Sequence, residues 1–153
     1  MKTISLPLVF LLIFISCNSD DNVTDLNNTP TSIDITGNWY LIEMSGNIPN
    51  STTTKNDMEW QETYTFNQDS TFTKTRFDEG NNTTIKISGT YKLKATEEER
   101  GLNLYYNEES SIIGSCSNAR EEYLYFLDNS QIRSNWWACD GPGLLYEKGN
   151  YLD

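Results

Sequence analysis

This chain of 153 residues contains no histidine. That removes the Ser-His-Asp and Cys-His nucleophile systems, the commonest general base and the commonest zinc ligand. A carboxylate pair of the glycoside-cleaving kind remains conceivable. With 22 Asp and Glu, however, some pair will lie at a suitable distance by accident, and nothing singles one out. No Gly-rich phosphate loop and no calcium loop of the Asp-x-Asp-x-Asp-Gly type occurs. The expectation is a protein that is not an enzyme and needs neither cofactor nor metal.

The residues whose spacing points to a binding site lie on one hairpin. Trp60, Glu62, Tyr64 and Phe66 alternate along one strand, and Phe72, Lys74 and Arg76 along the next. If Gln68-Asp69-Ser70 forms a three-residue loop with Ser70 in the left-handed region, Asn67 opposes Thr71. Phe66 then opposes Phe72, Tyr64 opposes Lys74 and Glu62 opposes Arg76, all on the face that carries Trp60. Facing inward, that set would place two cations and one carboxylate among aromatics. A buried charge needs a partner, so Glu62 would serve Arg76 and leave Lys74 for the anionic head of a ligand whose tail lies on Trp60, Phe66 and Phe72. Alternatively, Lys74 and Arg76 sit at an open rim and reach water. Trp39, Ile85, Ile87 and Tyr91 complete the candidate ligand-binding set.

The elements that must position these residues are almost entirely strands. Residues 84–93 give the clearest pattern: Ile85, Ile87, Gly89, Tyr91 and Leu93 alternate with Thr84, Lys86, Ser88, Thr90 and Lys92. The apolar set, Ile85 and Leu93 included, is expected to face inward. Similar runs occur at 37–44, 60–66, 71–77, 102–106, 122–127, 131–139 and 144–148, separated by turn-forming clusters of Asn, Asp, Ser, Gly and Pro. Eight short strands with mostly short connections predict an all-β, antiparallel up-and-down barrel, in which closure removes the exposed edges. Residues 45–59 read as a polar open loop or lid. In the pair Trp136-Trp137, strand alternation would turn one ring inward and the other outward.

The amino-terminal residues carry a different message. Lys2 is followed by a ten-residue run, 6–15, that is apolar except for Pro7. At about 1.5 Å of rise per residue, ten residues do not cross a hydrocarbon core of about 30 Å. Residues 1–16 therefore read as a cleaved export signal. Phe14-Ile15-Ser16-Cys17 resembles the lipobox of bacterial lipoproteins, with a mild departure at Phe14. The resemblance implies a diacylglycerol on Cys17 and membrane anchoring through it at the outer membrane, either on its inner face or at the cell surface. Asp20-Asp21 resembles a surface-export signal, or belongs to a solvated tether spanning residues 17–35. Such a tether would reach roughly 25 Å. With Cys17 assigned to lipid, Cys116 and Cys139 remain as an even pair in an oxidising compartment, which predicts a disulfide. Closing a loop of about two dozen residues, it would contribute roughly 3 kcal/mol.

Within the expected barrel domain, residues 36–153, the strand motifs resemble, over about residues 35–148, the lipocalin-like family of Gram-negative envelope lipoproteins. The likeness is carried by Gly37-Asn38-Trp39 in the first strand, Asp69-Ser70-Thr71-Phe72 at the hairpin and Gly89-Thr90-Tyr91 in a later strand. Ser70 stands where that family usually has Gly. The resemblance implies a barrel that binds a small hydrophobic or amphipathic ligand. Trp137 and residues 45–59 leave open a second reading, a solid barrel whose outer surface engages carbohydrate or protein. A net charge of −11, with no basic stripe, argues against nucleic acid as a partner. The acidic pairs, Glu121-Glu122 among them, read as solubilising surface.

Overall fold

The computed structural model describes residues 33–149 except 47, 97, 98 and 118. The signal, the lipidation at Cys17 and nearly all of the tether lie outside the described residues. Nine strands follow in chain order: β1 (Gly37–Ser45), β2 (Thr53–Thr54), β3 (Gln61–Phe66), β4 (Thr71–Asp78), β5 (Thr83–Ala95), β6 (Arg100–Tyr106), β7 (Glu121–Phe126), β8 (Gln131–Ser134) and β9 (Gly143–Lys148). Each strand from β3 to β9 pairs antiparallel with the next, β1 pairs with β3, and β1 also pairs with β9. That last pairing closes an eight-stranded up-and-down barrel, and β2 is a two-residue addition to the end of β1. The sequence expectation for the fold is met.

The β3–β4 hairpin shows how local sequence sets register. Ser70 adopts φ +65°, the left-handed conformation the turn requires. The Asp69 carboxylate accepts bonds from the Thr71 amide (3.0 Å) and hydroxyl (2.6 Å), and the Asn67 amide donates to the Thr71 carbonyl at 2.9 Å. The register that follows pairs Phe66 with Phe72, Tyr64 with Lys74 and Glu62 with Arg76, as the spacing predicts. Gly89 is dictated by close approach: a Cβ there would lie 2.0 Å from the Tyr105 carbonyl oxygen and 2.9 Å from the Phe72 ring.

The barrel has two unlike ends. Its lower end carries the β3–β4 turn and the segment leading into β1, where the Trp39 indole donates to the Ile35 carbonyl at 2.8 Å and both side chains are buried. Its upper end carries the long connections 46–60, 107–120 and 135–142. Cys116 and Cys139 are joined there by a disulfide, Cα atoms 5.6 Å apart, which ties the β6–β7 connection to the β8–β9 connection.

Four expectations need correction. Ile87 and Tyr91 are buried, but Ile85 and Leu93 are 38% and 50% exposed. The alternation is right; β5 is longer than the wall around it. Its residues up to Ser88 pair only with β4, and those beyond Thr90 pair only with β6, so its ends project past one neighbour. The eighth strand stops at Ser134 and gives way to a 3-10 turn, Trp136–Cys139. Trp136 packs on the core and Trp137 is half exposed, through the turn rather than by strand alternation. Residues 45–59 are not simply open, since they form β2 and a 3-10 turn, Lys55–Asp57, and bury Met58. Finally, Glu122 is not surface: it is 4% exposed and points inward beside Leu124.

Candidate functional site

Inward alternation on β3, β4, β6, β7, β8 and β9 fills the barrel in two tiers. Toward the lower end the filling is aromatic and aliphatic. Phe66 meets the Tyr91 ring edge-on at 5.1 Å, and Phe72 meets the Tyr106 ring edge-on at 4.9 Å. Leu102, Leu104, Leu124 and Ile132 complete the packing. Such contacts combine area burial with favourable quadrupole geometry.

The upper tier is ionic. Lys74 is fully buried, its ammonium 3.0 Å from Glu62 Oε1 and 3.1 Å from Glu122 Oε2. Arg76 Nε lies 2.6 Å from Glu62 Oε2, and the Arg76 guanidinium covers the Trp60 ring at 4.0 Å. Three phenols close the network. Tyr146 donates to Glu62 Oε1 at 2.5 Å, while Tyr64 and Tyr106 donate to Glu122 Oε2 at 2.8 and 2.5 Å. Ser134 Oγ, 3.4 Å from Glu122 Oε1, completes its shell. Two carboxylates thus face two cations, and the tier is electrically balanced within itself.

The titration tendencies follow from this geometry. Burial opposes ionisation of Glu62, but Lys74, Arg76 and the Tyr146 hydroxyl outweigh it and hold its carboxyl below the usual range. Burial, reinforced by the neighbouring carboxylates, pushes the hydroxyls of Tyr64, Tyr106 and Tyr146 well above their ordinary value. All three remain hydrogen-bond donors at neutral pH.

Residues 107–120 lie over this tier as a cap. Ile112 is buried and its carbonyl accepts from Arg76 at 3.4 Å. Gly114 crosses so close to the network that a Cβ would stand 2.7 Å from Glu122 Oε1 and 3.2 Å from the Trp136 ring. A cleft of about 510 Å³ lies at the cap, lined by Glu109, Ser110, Ser111, Ile113, Ser115, Ala119 and Trp136. A second, of about 160 Å³, is lined in part by Glu122, Tyr105, Tyr123 and Cys116. Trp137 and Ile48, 51% and 72% exposed, stand at the same end of the barrel.

Of the candidate ligand-binding residues, Trp39, Glu62, Tyr64, Phe66, Phe72, Lys74, Ile87 and Tyr91 are buried. Trp60 and Arg76 are partly buried against the core, and Ile85 lies outside it. Both readings of Lys74 change: it is neither at a wet rim nor lacking an internal partner, because Glu122 supplies the second carboxylate. Sequence reasoning missed Glu122, Tyr106, Tyr146 and Ser134. The signal was there for Glu122 and Tyr106, which fall in phase with Leu124 and with Leu102 and Leu104. Among the described residues no group of three or more Cys, Asp and Glu side chains is arranged to hold a metal ion.

A closed eight-stranded antiparallel barrel with an inward Trp on its first strand is consistent with a lipocalin-like fold. The chain matches no family model, no curated protein and no solved structure.

Proposed function

We propose that the protein is a lipid-anchored, non-catalytic binding module of the bacterial outer membrane that engages a carbohydrate at the upper end of its barrel. An eight-stranded barrel is just wide enough to pack its own side chains or to hold one small ligand. The observation that carries the reading is that the inward positions are taken by Tyr64, Phe66, Phe72, Lys74 and their partners, all buried against one another, while the larger cleft is lined by cap residues and Trp136. Three serine hydroxyls, the Glu109 carboxylate and the Trp136 indole suit a sugar, which presents hydroxyls at its edges and C–H groups on its faces. Trp137, at the same end of the barrel, offers an exposed ring. Support for the anchor is the lipobox-like Phe14–Cys17. Residues 33–36 lead into the barrel at the end opposite the long connections.

The test has two arms. Oligosaccharides released from the bacterial envelope are titrated into the purified chain, with Trp137→Ala and Ser111→Tyr as variants. A fatty acid, laurate, is titrated in parallel. Sugar binding weakened at least tenfold by either variant, with laurate inert, is the expected result. Stoichiometric laurate binding that both variants leave untouched would instead establish the small amphipathic ligand inside the barrel. For the anchor, metabolic labelling with a fatty-acid analogue should mark the wild type and spare Cys17→Ser.

A further inference from the structure

The Lys74 ammonium does not rest against one carboxylate oxygen of Glu122. It lies 3.1 Å from Oε2 and 3.4 Å from Oε1, and so faces the carboxyl group as a whole. The nitrogen is thus in contact with both oxygens of the carboxyl group whose carbon it would attack, and intramolecular placement of reacting groups is worth effective molarities on the order of 10⁵–10⁸ M once they are aligned. The two carboxylates beside Lys74 are also differently equipped. Glu62 is bonded to Arg76 and kept ionised, the requirement for a base. Glu122 receives two phenolic donors on one oxygen, from Tyr64 and Tyr106, the requirement for stabilising an oxyanion.

We propose that Lys74 and Glu122 form an autocatalytic isopeptide bond that cross-links β4 to β7 through the barrel interior. One ammonium proton passes to Glu122 Oε1, and the freed amine adds through its lone pair to the Glu122 carboxyl carbon. Glu62 takes the second proton from the nitrogen as the new C–N bond forms, while Tyr64 and Tyr106 hold the negative charge on Oε2. The C–Oε1 bond then breaks, and the leaving hydroxide takes the proton back from Glu62 and departs as water. The products are one amide and one water. Neither an oxidant nor an outside co-reactant is needed, and Glu62 returns to its pair with Arg76. The interior is left with one ion pair instead of two, which lowers the desolvation burden of the tier.

The proposal is independent of what the upper end binds, and peptide mapping tests it. The purified full chain is reduced, alkylated, digested and analysed by mass spectrometry. The expected result is a branched peptide joining the segments that contain Lys74 and Glu122, lighter than their sum by the mass of one water. Lys74→Arg should abolish it. Glu62→Gln should leave most molecules as two linear peptides, and Glu122→Gln should give the same branched product through loss of ammonia. The wild type alone is decisive even if a variant fails to fold: quantitative recovery of the two unlinked peptides would overturn the proposal.

Discussion

The lower and upper halves of this barrel are built from the same strands but held by different physics. Below, Phe66, Phe72, Tyr91 and the aliphatic residues around them gain stability by leaving water, and no partner has to be exact. Above, Glu62, Lys74, Arg76 and Glu122 lose hydration when buried and are compensated by one another, three phenols, the Ser134 hydroxyl and the Ile112 carbonyl. A hydrophobic half tolerates approximate packing, whereas an ionic half depends on each member. The cap over residues 107–120 belongs to the second regime. It contributes one carbonyl to Arg76 and a glycine that leaves no space above Glu122, and it is fastened by a disulfide.

The comparison can be broken most forcefully at its two centres. Lys74→Met removes the ammonium and with it the Lys74–Glu122 link, leaves both carboxylates buried with no cation between them, and should cost at least about 3–5 kcal/mol in denaturant unfolding. Phe72→Ala should lose a similar amount, about 3–5 kcal/mol, by opening a cavity. The readout that separates them is pH. Two carboxylates deprived of a cation raise each other's proton affinity, so the Lys74→Met deficit should be smaller at about pH 5 than at about pH 8. The Phe72→Ala deficit should not change. Equal pH dependence in both variants would mean that the halves do not differ as described.

Next in size is the fastening of the cap. Replacing Cys116 and Cys139 together by Ser should cost roughly 3 kcal/mol, from a loop with a sequence separation of 23 residues. Amide exchange should then quicken in residues 107–120 first. Unchanged protection there would show that the cap is held by its own packing.

The stability profile against pH sharpens the account of the upper tier. Glu62 titrates below its unfolded value, so its contribution is present above the ordinary carboxylate value of about 4.3. It is lost as pH falls through the lower folded value. Tyr64, Tyr106 and Tyr146 titrate above theirs, so their contribution is present below about pH 10 and is lost as pH rises beyond it. Urea midpoints should be level between those limits and fall on both sides. Glu62→Gln should flatten the acid limb.

The smallest effect concerns the ends of β5. Leu93→Thr and Ile85→Thr should each stay within about 0.5 kcal/mol of the wild type, because both side chains are already largely in water. Ile87→Thr, buried between them in sequence, should cost more than either by guanidinium melts.

What the sequence made legible was whatever depends on periodicity and local turns. The β3–β4 register, the left-handed Ser70 and the inward set at Ile87, Gly89 and Tyr91 all follow from alternation and one turn. What it hid depends on the third dimension. Ile85 and Leu93 have the right phase but lie where β5 has a neighbour on one side only, and strand stagger is not written in period two. Glu122 carries an inward phase, yet Glu121-Glu122 reads as an acidic pair until Lys74 is known to lie opposite, 48 residues away in sequence. The same distance concealed Lys74's second partner. Trp136 leaves the strand because the chain bends after Ser134, whose hydroxyl accepts the Trp136 amide at 3.2 Å.

The barrel is filled by its own side chains, and the proposed ligand meets it at the capped end. Two-dimensional ¹H–¹⁵N spectra of the purified chain resolve the indole N–H groups, among them Trp39 in the lower core and Trp136 and Trp137 at the cap. Titration with laurate to stoichiometric excess should leave the Trp39 signal in place, and an envelope oligosaccharide should move Trp136 or Trp137 alone. A laurate-dependent shift of Trp39 at one equivalent would mean that the interior opens to a ligand, and would contradict the account.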